Sequence, residues 1–267
     1  MKFNQIQKEN APADTGALSA RNRFDGKSHL YTAARPTYPE ACLKRLQTLL
    51  PTPDAHVVDV GAGTGLLTAQ LLSLGCRVTA VEPNAEMRAE TDRLLGEQPG
   101  YCSADGTAEA TGLPPHSCDL ITAAQAFHWF DTVAFRRECQ RILKPGGSVA
   151  LLWNFRTPDA PVNRACTALC REMCPTFQGF SAGFSPEDER IRTFFEPDLH
   201  CASFENDLSY TRDGFVKRML SASYAPKPGE PSAASFAAAL NALFDQFADG
   251  ETLTVPNVTY LFDGQLL

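Results

Sequence analysis

Three glycines, at positions 61, 63 and 65, follow the short apolar run HVVDV (56–60), and Asp59 stands two residues before the first of them. Glycine takes positive φ without strain and lets a ligand approach the backbone closely. A turn built this way can present N–H and C=O groups to a small molecule, or it can be a plain tight turn. Glu82 separates the two readings. It ends the next apolar run, CRVTAVE (76–82). A carboxylate at that place can accept hydrogen bonds from both hydroxyls of a ribose, which points to an adenosine-containing ligand.

Other residues could do chemistry nearby. His128 lies within AAQAFHWF (123–130), and histidine is the side-chain type whose ordinary pKa lies nearest neutrality. It can serve as a general base or pack to hold the Trp129 loop. Arg35, ahead of Pro36, and Arg156, just past SVALLWN (148–154), can each grip a carboxylate bidentately, or remain solvated as surface arginines normally are. Phe127, Trp129 and Phe155 offer apolar walls for such a ligand. The nine cysteines include no Cys-x-x-Cys pair. Cys166, Cys170 and Cys174 follow one another in steps of four. That spacing puts three thiols on one helix face, where cysteine acts as a small apolar residue. No cluster has metal-ligand spacing.

Positioning these residues requires a scaffold, and the pattern specifies one. Leu43, Leu46, Leu49 and Leu50 share a face of a helix over 39–50 that Pro51 stops. Strands at 56–60, 76–82, 101–104, 118–123 and 148–154 alternate with helices at 64–74, 84–95 and 131–143. Asn84 is placed to cap the second of these helices, and KPGG (144–147) reads as a sharp turn. This alternation predicts a doubly wound α/β fold: a mostly parallel sheet with helices on both faces and right-handed crossovers. Ligands then bind beyond the carboxyl ends of the strands, beside the first. Residues 155–267 break the rhythm. They read as helices near 160–174, 211–221 and 232–248 with strand-like runs at 200–209 and 252–263, and the helices are expected to cap the carboxyl edge of the sheet.

Several motifs resemble one family. The Asp-x-Gly-x-Gly-x-Gly run (59–65) is similar to the first motif of the Rossmann-like, class I, S-adenosylmethionine-dependent methyltransferases. VEPNAEM (81–87) is similar to their ribose motif, GTAEATGLPPHSCDLITAAQAFHWF (106–130) to their third and fourth motifs, and RILKPGGSVALL (141–152) to the turn before their fifth strand. The resemblance covers about residues 54–153 and implies a seven-stranded sheet. It implies that Asp59, Gly61, Ala62, Gly63 and Gly65 wrap the methionine end of S-adenosyl-L-methionine. Glu82 and Pro83 would then meet its ribose, Met87, Thr107 and Ala108 its adenine, and Gln125 the region of the sulfur. Thr107 stands where many members carry Asp, and its hydroxyl accepts without charge. YTAARPTYP (31–39) resembles the amino-terminal segment of a small-molecule subgroup, which implies that Tyr31 and Arg35 close over the cofactor. QAFHWF (125–130) resembles the trans-aconitate methyltransferase-like subgroup, with Trp129 and Arg156 toward the substrate.

The expected protein is thus a single domain over 1–267. It has a lid and first helix at 1–50, a cofactor core at 54–154 and a substrate side at 155–267. Methyl transfer to a small molecule, a carboxylic acid among the candidates, is the expected activity. A nucleotide-dependent oxidoreductase would need Gly-x-Gly-x-x-Gly. A cofactor-binding protein without turnover is the other alternative, because the family has no invariant catalytic residue. The formal charge of -7 argues against a nucleic-acid partner. No apolar run nears 20 residues and no signal-peptide pattern is visible, so the reading is a soluble cytoplasmic protein away from membranes. The oligomeric state is left open.

Overall fold

The computed structural model describes residues 37–180, 184–222, 224–227 and 229–266. Five β-strands and the helices between them form the first half. In chain order these are α1 (Glu40–Gln47), β1 (His56–Val60), α2 (Leu66–Ser73), β2 (Arg77–Val81), α3 (Ala85–Leu95), β3 (Tyr101–Ala104), β4 (Cys118–Ala124), α4 (Thr132–Ile142) and β5 (Leu143–Arg156). The second half comprises α5 (Pro161–Met173), α6 (Glu189–Phe195), β6 (His200–Glu205), β7 (Leu208–Thr211), α7 (Arg212–Leu220), α8 (Pro231–Phe247), β8 (Thr252–Val255) and β9 (Asn257–Gly264).

Seven strands make the central sheet, in the order β3-β2-β1-β4-β5-β9-β6. The first five run parallel, and β9 lies antiparallel between β5 and β6. This is the doubly wound architecture that the alternation predicts. β1 is buried along most of its length because both faces are covered. One face packs Ile121, Phe127, Phe135, Trp153, Phe194 and Phe262 under α4 and α6. The other packs Leu46, Leu67, Leu71, Leu120 and Leu152 under α1 and α2.

Local capping follows the sequence. Asn84 Oδ1 accepts from the Met87 N–H at 3.0 Å, starting α3. Asp131 Oδ1 accepts from the N–H groups of Val133 and Ala134, starting α4. The KPGG turn departs from expectation by sitting inside β5 instead of before it. Pairing jumps from Cys118–Leu143 to Leu120–Ser148, so residues 144–147 bulge out of one continuous strand.

The two late strand-like runs each split. Asn206 and Asp207 separate β6 from β7, and Pro256 separates β8 from β9. β7 and β8 then pair with each other in a separate two-stranded sheet. With α5, α7 and α8 they enclose a third core of Cys166, Cys170, Phe215, Phe236, Leu240 and Phe244. The cap therefore has an interior of its own, where helices laid on the sheet edge were expected. The Cys166, Cys170 and Cys174 thiols are buried in it, and burial raises the pKa of all three. Among the described residues no helix is long and apolar enough to cross a membrane.

Candidate active site

The glycine loop leaves the carboxyl end of β1, and each glycine has a distinct reason to be there. Gly61 has φ +68°. A Cβ on it would lie 2.8 Å from Ala126 Cβ and 3.3 Å from Phe130 Cζ, so the loop presses against the segment that follows β4. Gly65, at φ +80°, starts α2, and a Cβ there would strike Thr91 Cγ2 at 2.7 Å. Gly63, at φ +60°, is different. A Cβ on it would meet only Met87 Sδ, at 4.0 Å. Space therefore remains over Gly63 for a ligand, with the buried Met87 beside it.

Charge in this loop is buried and tied to the backbone. Asp59 is 1% exposed and accepts from Thr68 Oγ1 at 2.7 Å and Thr122 Oγ1 at 2.9 Å. Burial pushes its carboxyl up to about 6, against the two hydroxyl bonds that favour the ionised form. Glu82 follows β2. Its Oε2 accepts from the Gly63 N–H at 2.9 Å and its Oε1 from the Asn84 N–H at 2.9 Å. Burial raises its pKa, and the two backbone N–H groups pull it the other way. Each Glu82 oxygen accepts one N–H, which leaves a further lone pair on each. Pro83 and Asn84 continue from Glu82 into α3.

Two further segments carry residues that the sequence assigns to the site. Thr107 exchanges backbone hydrogen bonds with Ala110, and Ala108 is buried in the sheet core. Gln125 follows β4 at φ +56°, a left-handed conformation that side-chain-bearing residues rarely adopt. It is held there by its N–H on Leu152 O at 2.9 Å and by its Nε2 on Asn154 O at 3.4 Å. The turn lifts residues 127–129 into one 3₁₀ turn. The His128 ring lies 4.5 Å from Trp129 and 5.7 Å from Phe184, packed among aromatics. Trp129 is 47% exposed. Phe127, expected as a wall, is fully buried in the core, and Phe130 takes the place beside Gly61.

Asp59, Gly61, Ala62, Gly63, Gly65, Glu82, Pro83 and Met87 thus gather around one loop. Gln125 and the Phe130 side of the next loop adjoin it. Arg156 stands at the end of β5 in a separate cleft of about 480 Å³, lined by none of these residues. Tyr31 and Arg35 lie outside the described residues.

Sequence reading missed what anchors the chain just after them. Gln70 of α2 accepts from the Tyr38 N–H at 3.1 Å and donates to Tyr38 O at 2.8 Å. Asn206 Nδ2 donates to Thr37 O at 2.9 Å and also to Thr259 Oγ1 at 3.0 Å. Side-chain amides that clamp backbone carry no local sequence signature, since their partners are 32 and 169 residues away.

Residues 58–151 match a family described as a methyltransferase domain. An uncharacterized methyltransferase of Mycobacterium tuberculosis is 40% identical over 126 residues, 47% of this chain and 49% of that protein. The chain spans about half the length of the curated relatives it matches. The structure resembles a candidate type II methyltransferase from Anaeromyxobacter dehalogenans, with TM-score 0.61, 27% identity, and coverage of 87% of this chain and 98% of that one. It also shares its fold with geranyl diphosphate C-methyltransferase from Streptomyces coelicolor A3(2). That protein was solved with Mg²⁺, geranyl diphosphate and S-adenosyl-L-homocysteine. It gives TM-score 0.51 at 15% identity, covering 96% of this chain and 100% of that one.

Proposed function

With residues 58–151 matching a methyltransferase domain family and lying on a Rossmann-like sheet, we propose that the chain transfers a methyl group from S-adenosyl-L-methionine to a small molecule. The observation that carries this reading is the Glu82–Gly63 hydrogen bond. One carboxylate shapes the glycine loop and keeps lone pairs for the two hydroxyls of a ribose.

S-adenosylmethionine supplies a methyl group already activated on a sulfonium, and the protein's task is alignment. Alignment can account for up to about 7–11 kcal/mol of barrier. Asp59 fixes the loop through Thr68 and Thr122, and Gly63 offers its open face. Met87, Thr107 and Ala108 border the adenine side. Gln125, held in its left-handed turn, directs the chain toward the cleft. Tyr31 and Arg35 close the site in this reading.

The acceptor is a small carboxylic acid, as the QAFHWF resemblance suggests. An ionised carboxylate is already a nucleophile and needs no base, which suits a site where His128 is packed among aromatics. Arg156 grips the acid and Trp129 covers it. If the acceptor were a hydroxyl, His128 would be the group to take its proton.

Two measurements test this. Mass spectrometry of the purified protein should find S-adenosylmethionine or its homocysteine product. Calorimetry should show Glu82→Ala binding S-adenosylhomocysteine about tenfold to a hundredfold more weakly, the worth of a charged hydrogen bond. Unchanged affinity would remove the cofactor from this loop. Among acceptors, di- and tricarboxylic acids should turn over. Turnover of phenols or amines with every free acid inert would end the carboxylate reading.

A further inference from the structure

Arg156, Arg164 and Arg171 line one cleft between the end of β5 and α5, together with Asn163, Thr167 and Phe180. Arg164, Thr167, Ala168 and Arg171 fall at i, i+3, i+4 and i+7, so they share one face of α5. The opposite face sends Cys166 and Cys170 into the cap core. Among the described residues none of these three guanidiniums pairs with a carboxylate. Arg45, Arg88, Arg93, Arg141, Arg190 and Arg212 each do. Three cations with no carboxylate partner among the described residues line one cleft, on a chain of net charge -7.

Arg156 is set in advance. Its Nη1 donates to Asn163 Oδ1 at 3.4 Å, its guanidinium lies 4.0 Å above the Phe180 ring, and its Nη2 is 3.3 Å from Met219 Sδ. Asn163 is itself buried, and its Nδ2 donates to Thr157 O and Pro256 O. That orientation points its carbonyl at Arg156. A guanidinium has five donors in a planar fork, and these contacts occupy only part of them. Arg164 donates one to the Asp159 carbonyl, and Thr167 Oγ1 donates to Asn163 O at 2.8 Å. β5 links the two regions: Gln125 Nε2 reaches Asn154 O, two residues before Arg156.

We propose that Arg156, Arg164 and Arg171 form an oxyanion site for a carboxylate or phosphate that the methyl acceptor carries away from its reacting atom. The link to the acceptor rests on the methyl-transfer reading; the binding of an anion does not. The chemistry favours a second anionic group. A carboxylate that receives the methyl loses its charge, so attraction to it fades as the reaction proceeds. A remote anion keeps its charge throughout and fixes the acceptor's aim.

The test is calorimetry at fixed low ionic strength, with citrate, inorganic phosphate and the neutral triethyl citrate as probes. The exposed pair Arg164→Ala and Arg171→Ala is combined in one variant, and S-adenosylhomocysteine binding is measured in the same samples as a check of the fold. The wild type should bind citrate or phosphate and ignore the triester. The double variant should bind the anion about tenfold to a hundredfold more weakly with unchanged S-adenosylhomocysteine affinity. The tighter of the two anions assigns the group. Equal anion affinity in wild type and variant, or a wild type that binds neither anion, overturns the proposal. A wild type that binds citrate but not S-adenosylhomocysteine keeps the anion site and removes the methyltransferase reading.

Discussion

Asp59 and Glu82 are carboxylates nine-tenths buried with no cation in hydrogen-bond contact among the described residues, and their physics differs from that of surface acids. The Asp59 carboxyl, at about 6 in the folded protein, starts from an ordinary value near 3.8. The folded state therefore binds this proton more tightly than the unfolded one. Its stabilising contribution is complete below pH 3.8 and is lost as pH rises through 6. Asp59→Asn removes that titration, while Thr68 and Thr122 can turn their hydroxyls to the amide. The stability difference, variant minus wild type, should then grow between pH 4 and 7 by on the order of 3 kcal/mol. Denaturant unfolding at several pH values reads it, and a difference that stays flat would place the Asp59 pKa at its ordinary value. Both acids were legible in the sequence because motif spacing marked them. Their backbone partners were not: that Glu82 takes the Gly63 N–H depends on β2 lying beside β1, a fact of the sheet and not of either segment.

Among the elements, the glycine loop and α3 interlock. Thr91 Oγ1 contacts both Gly63 O at 2.8 Å and Met87 O at 3.0 Å. Gly65→Ala would drive a Cβ into Thr91 and force a left-handed alanine, so it should cost about 1–3 kcal/mol of stability and weaken S-adenosylhomocysteine binding with it. Gly112→Ala, at φ +75° with nothing within 4 Å, is the control for strain alone. It should lower stability by less and leave binding unchanged. Denaturation and calorimetry on both variants check this, and equal losses would mean that contact with Thr91 is immaterial. The first half of the fold was readable because apolar strands and capped helices alternate there. The second half was not, because a strand's partner is unspecified by its own residues. Residues 200–209 read as one run until Asn206 and Asp207 divide it between two sheets. The helix α6 also escaped notice, although Asp188 caps it and Ile191, Phe194 and Phe195 mark its buried face.

At the scale of the whole molecule, β9 joins regions far apart in the chain. It pairs with β5 along Val149–Arg156 and with β6 along His200–Glu205. Arg45 of α1 also reaches it, in a bidentate pair with the buried Asp263 at 2.7 Å and 2.9 Å. A chain stopped at residue 256 would leave β5, with Val149, Leu151 and Trp153 on it, as an open apolar edge. It should aggregate, as light scattering would report, and a monodisperse product would mean that the sheet closes without β9. The same insertion has a consequence during synthesis. The parallel strands β1–β5 can assemble as soon as they are made, but β6 reaches the folding chain before the strand that must separate it from β5. Vectorial production thus gives β6 an early chance to dock directly on β5, in the place reserved for β9. A full-length chain refolded from denaturant has β9 present from the start, so it would reach the native order more often than a nascent chain paused between β6 and β9.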